Sequence, residues 1–158
     1  MENKSLVDTG CNPNQRILVV EDDPDILLLN KEVLLDCGYL VDAAKDGAAA
    51  WEALQLAKYD LVVTDYNMPR LTGVQLIEKI HAAEMSLPVI MATGALPVWE
   101  FALHPELQPT AVLLKPYTIA ELAATVKEVL QATIFMGAEA TSLLALHRQP
   151  LPNRLPIR

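Results

Sequence analysis

Cysteine is nearly absent: the 158 residues hold two, Cys11 and Cys37, at neither CxxC nor any other metal-ligand spacing. No disulfide framework or cysteine-held metal is on offer, and a reduced, cytoplasmic chain is expected. Histidine is scarce as well, and His81, His104 and His147 stand too far apart in sequence to suggest a metal site or a general base. No run approaches the ~20 apolar residues that span a bilayer. The N-terminus carries Glu2, Lys4 and Asp8 where a secretory signal would carry an apolar stretch. Basic charge is in deficit, with 12 Lys and Arg against 20 Asp and Glu and a net charge of −8, so a general nucleic-acid binder is not expected. Charged residues make up only 20% against 52% hydrophobic, enough apolar material to bury a core and to exclude disorder over most of the length. The length suits one domain with a tail.

From Arg16 onward the chain alternates short apolar runs with longer helical patterns. Residues 1–15 are polar, with Gly10, Asn12, Pro13 and Asn14, and read as a flexible leader. The first strand, about 16–21, is a run of Ile, Leu and Val without polar alternation, as expected for a strand covered on both faces. Asp23-Pro24 supplies an N-cap and a first helical residue. The helix that follows carries Ile26, Leu27, Leu29, Val33 and Leu34 and stops at Cys37-Gly38. A weaker strand at 40–44 precedes a helix capped by Asp46, with Ala48, Trp51, Leu54 and Leu56 on its apolar face. A third strand spans 60–64, and Thr72-Gly73-Val74-Gln75 fits a capping box. The fourth strand runs from Leu87 to Ala92. Pro97, Pro105 and Pro109 confine the fourth helix to Val98–Leu103. The fifth strand is about 111–114, and Thr118-Ile119-Ala120-Glu121 opens the last helix. This βαβαβαβαβα order predicts an α/β fold, a doubly wound five-stranded parallel sheet with helices on both faces.

After Ala132 the pattern loosens. Residues 133–158 read as an extension: an amphipathic helix broken or kinked near Gly137, then an unstructured end rich in Pro and Arg. Ile134, Phe135, Leu143, Leu144 and Leu146 are expected to pack on this chain or on a second copy.

Chemistry collects at the carboxyl ends of the strands, where open α/β sheets place it. The first strand ends in Glu21-Asp22-Asp23, the third in Asp65-Tyr66-Asn67-Met68-Pro69, the fourth in Thr93-Gly94 and the fifth in Lys115-Pro116. Taken singly, each has an ordinary structural explanation: Asp23 a helix cap, Thr93 and Asn67-Met68-Pro69 turns, Lys115-Pro116 a surface turn. Their conjunction points to chemistry. Carboxylates about 5 Å apart repel by roughly 3 kcal/mol at an effective dielectric near 20, so the cluster protonates or binds a cation. Two carboxylates and a backbone carbonyl suit Mg²⁺, which retains waters and shares phosphate oxygens. Asp65 is then the group that attacks phosphorus in line, with the Asn67 carbonyl as a further metal ligand. Thr93 is placed to donate to a phosphoryl oxygen, Gly94 leaves room for it, and Lys115 supplies positive charge.

At these residues the chain resembles a response-regulator receiver domain of two-component signalling, over about residues 16–132, and single-domain chemotaxis regulators are close in layout. The resemblance implies a flavodoxin-like sheet of strand order 2-1-3-4-5, a phosphoacceptor at Asp65, an acidic pair at Glu21 and Asp22 that binds Mg²⁺ with Asp65, and the Asn67 carbonyl as metal ligand. It also implies a switch hydroxyl at Thr93, a conserved-type lysine at Lys115 and a cis Lys115-Pro116 bond. The implied donor is a histidine kinase or a histidine phosphotransfer protein, and the implied output is contact with another protein or onward relay, by a monomer or weak homodimer. Two departures stand out: Val112 lies where many members carry a switch aromatic, and Leu96-Pro97-Val98-Trp99-Glu100-Phe101 replaces the usual charged fourth helix. That apolar stretch is either a partner patch or core packing by Trp99 and Phe101. Rival readings are a phosphorylation-independent binding module of the same fold, a receiver fragment of a hybrid kinase, and a haloacid-dehalogenase-type phosphatase. The last places its nucleophile after the first strand in a DxD pattern, whereas here Glu21-Asp22 are contiguous and Asp65 follows the third strand.

Overall fold

The computed structural model describes residue 12 and residues 14–146, with side chains through residue 138. The expectations for the rest of the leader and for 147–158 fall outside the described residues. Five strands, β1 (Arg16–Val20), β2 (Leu40–Ala44), β3 (Leu61–Asp65), β4 (Val89–Thr93) and β5 (Ala111–Leu114), form one sheet in the order β2-β1-β3-β4-β5. All neighbours are parallel, with Val20 opposite Ala44 and Thr64, Asp65 opposite Ala92, and Thr93 opposite Leu114. That register aligns the carboxyl ends of the strands along one edge.

Successive strand side chains point to opposite faces, and both faces are covered. Ile17, Val19, Leu61 and Ile90 pack with Leu34 of α1 (Pro24–Asp36) and with Leu122, Val126, Val129 and Leu130 of α5 (Ile119–Leu146). Leu18, Val20, Val62 and Met91 pack with Ala50 and Leu54 of α2 (Gly47–Leu56), with Leu76, Ile77 and Ile80 of α3 (Gly73–Ala82), and with Phe101 of α4 (Val98–Leu103).

The helix ends are built as the local residues dictate. The Asp23 carboxylate accepts from the backbone N–H groups of Asp25 and Ile26, and Asp46 accepts from Ala49. Thr72 and Gln75 form a complete capping box, and Thr118 and Glu121 repeat it at α5. At the end of α1, Gly38 adopts φ 95°, its N–H donates to Leu35 O, and Tyr39 N–H donates to Leu34 O. This 5→2 and 6→1 pairing needs a left-handed residue, which glycine supplies without strain.

Several expectations about helix surfaces are corrected. Leu56, assigned to the apolar face of its helix, is 87% exposed, and Leu29, one of the apolar residues of the first helix, is exposed as well. Trp99 is 85% exposed while Phe101, two residues on, is buried, so only one of the two packs. α5 does not end near Ala132 and is not interrupted at Gly137, but continues as one helix to Leu146. Residues 132–146 hold several alanines and leucines and no proline, and one interior glycine costs only about 1 kcal/mol, too little to stop a helix. Ile134 and Phe135, expected to pack on this chain or on a second copy, are exposed on this chain; the side chains of Leu143, Leu144 and Leu146 lie outside the described residues. Among the described residues no helix is long and apolar enough to cross a membrane.

Candidate functional site

Each group at the carboxyl edge is fixed by its own strand. Glu21 follows β1, and its N–H donates to Ala44 O (3.1 Å), which ties it to the end of β2. Asp65 is the last residue of β3, and the next N–H, that of Tyr66, donates to Ala92 O (2.9 Å). Lys115 follows β5, and its N–H donates to Thr93 O (2.8 Å). The Lys115-Pro116 bond is cis.

These ties bring Glu21, Asp22, Asp65 and Lys115 together. One oxygen from each carboxylate lies within 4.8 Å of the other two. The Lys115 Nζ donates to Asp65 Oδ1 at 2.9 Å and to Glu21 Oε2 at 3.0 Å. Glu21 and Asp65 are buried, whereas Asp22 is exposed at the rim. Glu21 uses its other oxygen to accept from Asp23 N–H (3.3 Å). Asn67 stands two residues beyond Asp65 in an exposed bend. Thr93 is buried at the end of β4, but its hydroxyl is turned to its own loop, donating to Ala95 O at 2.7 Å. A Cβ at Gly94 would meet nothing within 4 Å, so the space beside Thr93 is open.

The electrostatics follow from one ammonium shared by Glu21 and Asp65, with the Asp22 carboxylate close by. Burial pushes the Glu21 carboxyl above its usual range; the Lys115 hydrogen bond opposes this, and the Asp65 charge adds to it. Desolvation pulls the Lys115 ammonium down, but its hydrogen bonds to Asp65 and Glu21 and their charges prevail, leaving its pKa above the ordinary lysine value. The cluster is a set of hard oxygen donors with negative charge in excess of its one cation. That donor chemistry and spacing fit Mg²⁺, whose ligand oxygens lie about 2 Å from the ion and hence roughly 3–4 Å from one another.

Sequence reasoning did not reach some supports of this site. Gly73 opens α3, and its N–H donates to Tyr66 O (3.0 Å). A Cβ there would sit 2.5 Å from Asp65 O, so the helix approaches the Asp65 backbone only because residue 73 has no side chain. The signal was present as a glycine inside the capping box, but nothing local says what lies above it. Gly73→Ala is expected to destabilise the fold by about 2 kcal/mol, as overpacking at a tight contact does, and urea denaturation measures it. Also unanticipated are the Asn30 amide donating to Tyr117 OH (2.9 Å) beside Lys115, and Tyr66 OH donating to Glu100 Oε2 (2.8 Å). Val112 sits half-buried on β5 opposite Met91.

The family model described as the response regulator receiver domain matches residues 17–127. The transcriptional regulatory protein PrrA of Mycobacterium leprae is 35% identical over 136 residues, 86% of this chain and 57% of its own length. The chain thus spans little more than half of that relative. The chemotaxis protein CheY-3 of Vibrio cholerae is 34% identical over 120 residues, covering 74% of this chain and 89% of that protein. The crystal structure of the response regulator TrrA from Thermotoga maritima, in complex with Mg²⁺ and BeF, superposes with a TM-score of 0.65 at 30% identity, covering 73% of this chain and 98% of that one.

Proposed function

The chain belongs to the response regulator receiver domain family, and on that premise we propose that it accepts a phosphoryl group on Asp65 from a histidine kinase or a histidine phosphotransfer protein. The observation that carries this is Asp65 itself: a buried carboxylate at the end of β3, 2.9 Å from the Lys115 ammonium and clustered with Glu21 and Asp22.

Glu21, Asp22 and Asp65, with the backbone carbonyl of Asn67, would hold Mg²⁺. When bound, the ion neutralises charge on the phosphoryl oxygens and orients them for in-line attack. An Asp65 oxygen forms the bond to phosphorus while the phosphorus–nitrogen bond of the donor phosphohistidine breaks, its electron pair leaving with the imidazole. Lys115, already bonded to Asp65, stays beside the acyl phosphate as a fixed positive charge that needs no reorganisation. Thr93 carries one hydroxyl proton, now spent on Ala95 O; bonding a phosphoryl oxygen redirects it. Output passes to another protein by contact or by onward relay, in the cytoplasm.

Acetyl phosphate, which carries the same transferable group, tests the reading without a kinase. Intact-mass spectrometry is expected to show one added phosphoryl group with Mg²⁺ and none with EDTA. Equal uptake under both conditions would refute the metal-assisted site.

A further inference from the structure

α4 is a short helix with few attachments. Its six residues follow Pro97, which provides no side-chain cap, and Phe101 is the one buried residue among them. Val98, Trp99 and Leu103 are 65%, 85% and 74% exposed. Two polar ties join this segment to the phosphoacceptor region. At its leading end, the Thr93 hydroxyl donates to Ala95 O (2.7 Å) and accepts from Ala95 N–H (3.3 Å). At its middle, the Tyr66 hydroxyl donates to Glu100 Oε2 (2.8 Å).

Tyr66 is unusually well placed for this. It is covalently next to Asp65, its N–H is bonded to Ala92 O and its C=O accepts from Gly73 N–H, so its backbone cannot drift from the site. Its ring then spans from that anchored backbone to α4. The Glu100 hydrogen bond, followed by burial, raises the Tyr66 pKa, as expected for a proton held between phenol and carboxylate.

We propose that the Tyr66–Glu100 hydrogen bond is a latch that holds α4 on the body of the domain and limits how far phosphorylation of Asp65 frees it. The limit on release after phosphorylation rests on Asp65 being the phosphoacceptor, whereas the hold on α4 in the unmodified chain does not. In the unmodified chain both ties are present. A phosphoryl group on Asp65 recruits the Thr93 hydroxyl and so releases Ala95, but it leaves the Tyr66 tie in place. α4 is then loosened at its leading end while still fastened at its middle. Tyr66 is a positioning residue, acting through Glu100 and touching no reacting atom.

Amide hydrogen exchange across Val98–Leu103 tests this on the full chain. Tyr66→Phe fills the same space without the hydroxyl, and α4 in the unmodified variant is expected to exchange about tenfold faster than wild type, the opening expected for one lost charge-assisted hydrogen bond. Glu100→Gln keeps a carbonyl acceptor and stays within about threefold of wild type. Tyr66→Phe combined with Glu100→Ala exchanges no faster than Tyr66→Phe alone, since both remove the same bond. With acetyl phosphate and Mg²⁺, α4 exchanges faster in Tyr66→Phe than in wild type, at equal phosphoryl uptake by mass. Wild-type exchange in unmodified Tyr66→Phe, or additive effects in the double variant, would overturn the latch. The unmodified comparison needs no phosphoryl transfer, so failure of the wild type to take up the group would refute the phosphoacceptor reading and leave the latch decided on its own.

Discussion

Asp65→Asn is expected to take up no phosphoryl group from acetyl phosphate and Mg²⁺, while wild type takes up one. The substitution keeps the shape of the side chain and removes what transfer requires. An amide carries no formal charge and is a poor nucleophile toward phosphorus. Neighbouring carboxylates offer no replacement. Glu21 is already engaged by Lys115 through one oxygen and by Asp23 N–H through the other, and Asp22 lies exposed at the rim. The fold survives, because Lys115 retains Glu21 as a partner. Metal binding weakens in the same variant, since one of three clustered carboxylates is gone. For wild type, Mg²⁺ at a hundredfold excess over its dissociation constant adds about 2.7 kcal/mol of stability, and thermal denaturation of Asp65→Asn is expected to show a smaller shift. Phosphoryl uptake by the variant at the wild-type level would place the acceptor elsewhere.

Lys115→Met is expected to cost about 3 kcal/mol of stability in metal-free buffer near neutral pH, the low end for removing one partner of a buried ion pair. The discount reflects partial solvent screening of Lys115, whose side chain is 27% exposed. What makes the loss large is the state of the partners: Glu21 and Asp65 side chains are 4% and 9% exposed and would face each other without a cation. The pH dependence carries the sign. Glu21 has a folded pKa above its ordinary 4.5, so the folded state binds its proton more tightly than the unfolded chain does. Stability from this group is present below pH 4.5 and is lost as pH rises through the raised value. Without Lys115 that pKa rises further, so when the two proteins are compared near pH 4.5 and at about pH 8 the variant is expected to lie closer to wild type at the lower pH. Lys115 itself behaves in the complementary way. Its raised pKa means that its contribution holds below 10.5 and disappears only as pH climbs through the higher folded value. Mg²⁺ should recover much of the loss in Lys115→Met, because a divalent cation among the same carboxylates replaces the missing charge. Urea denaturation with Mg²⁺ and with EDTA at the two pH values measures this. An equal loss at both would show that packing of the lysine stem, and not charge, is what Lys115 supplies.

The residues alone determined the order of elements, because strand and helix are written in short-range signals: unbroken Ile, Leu and Val runs, a cap residue before each long helix, a glycine after α1. The same locality placed the short α4 between Pro97 and Pro105 and set acid, acid, hydroxyl and amine at four strand ends. Parallel strands in register then carry those ends to one edge, so the makings of the site were legible too. Coverage was not, since a periodic pattern says which residues are apolar and not which of them a neighbour shields; Leu56 and Trp99 stay exposed, while Phe101 finds the α3 side of the sheet. Nor could spacing tell that Lys115 is shared by Glu21 and Asp65, that Gly73 must pass over the Asp65 carbonyl, or that Tyr66 reaches Glu100. Those contacts join residues from 8 to 94 positions apart, and their energies depend on distance through space, which only the packed sheet and its crossovers set.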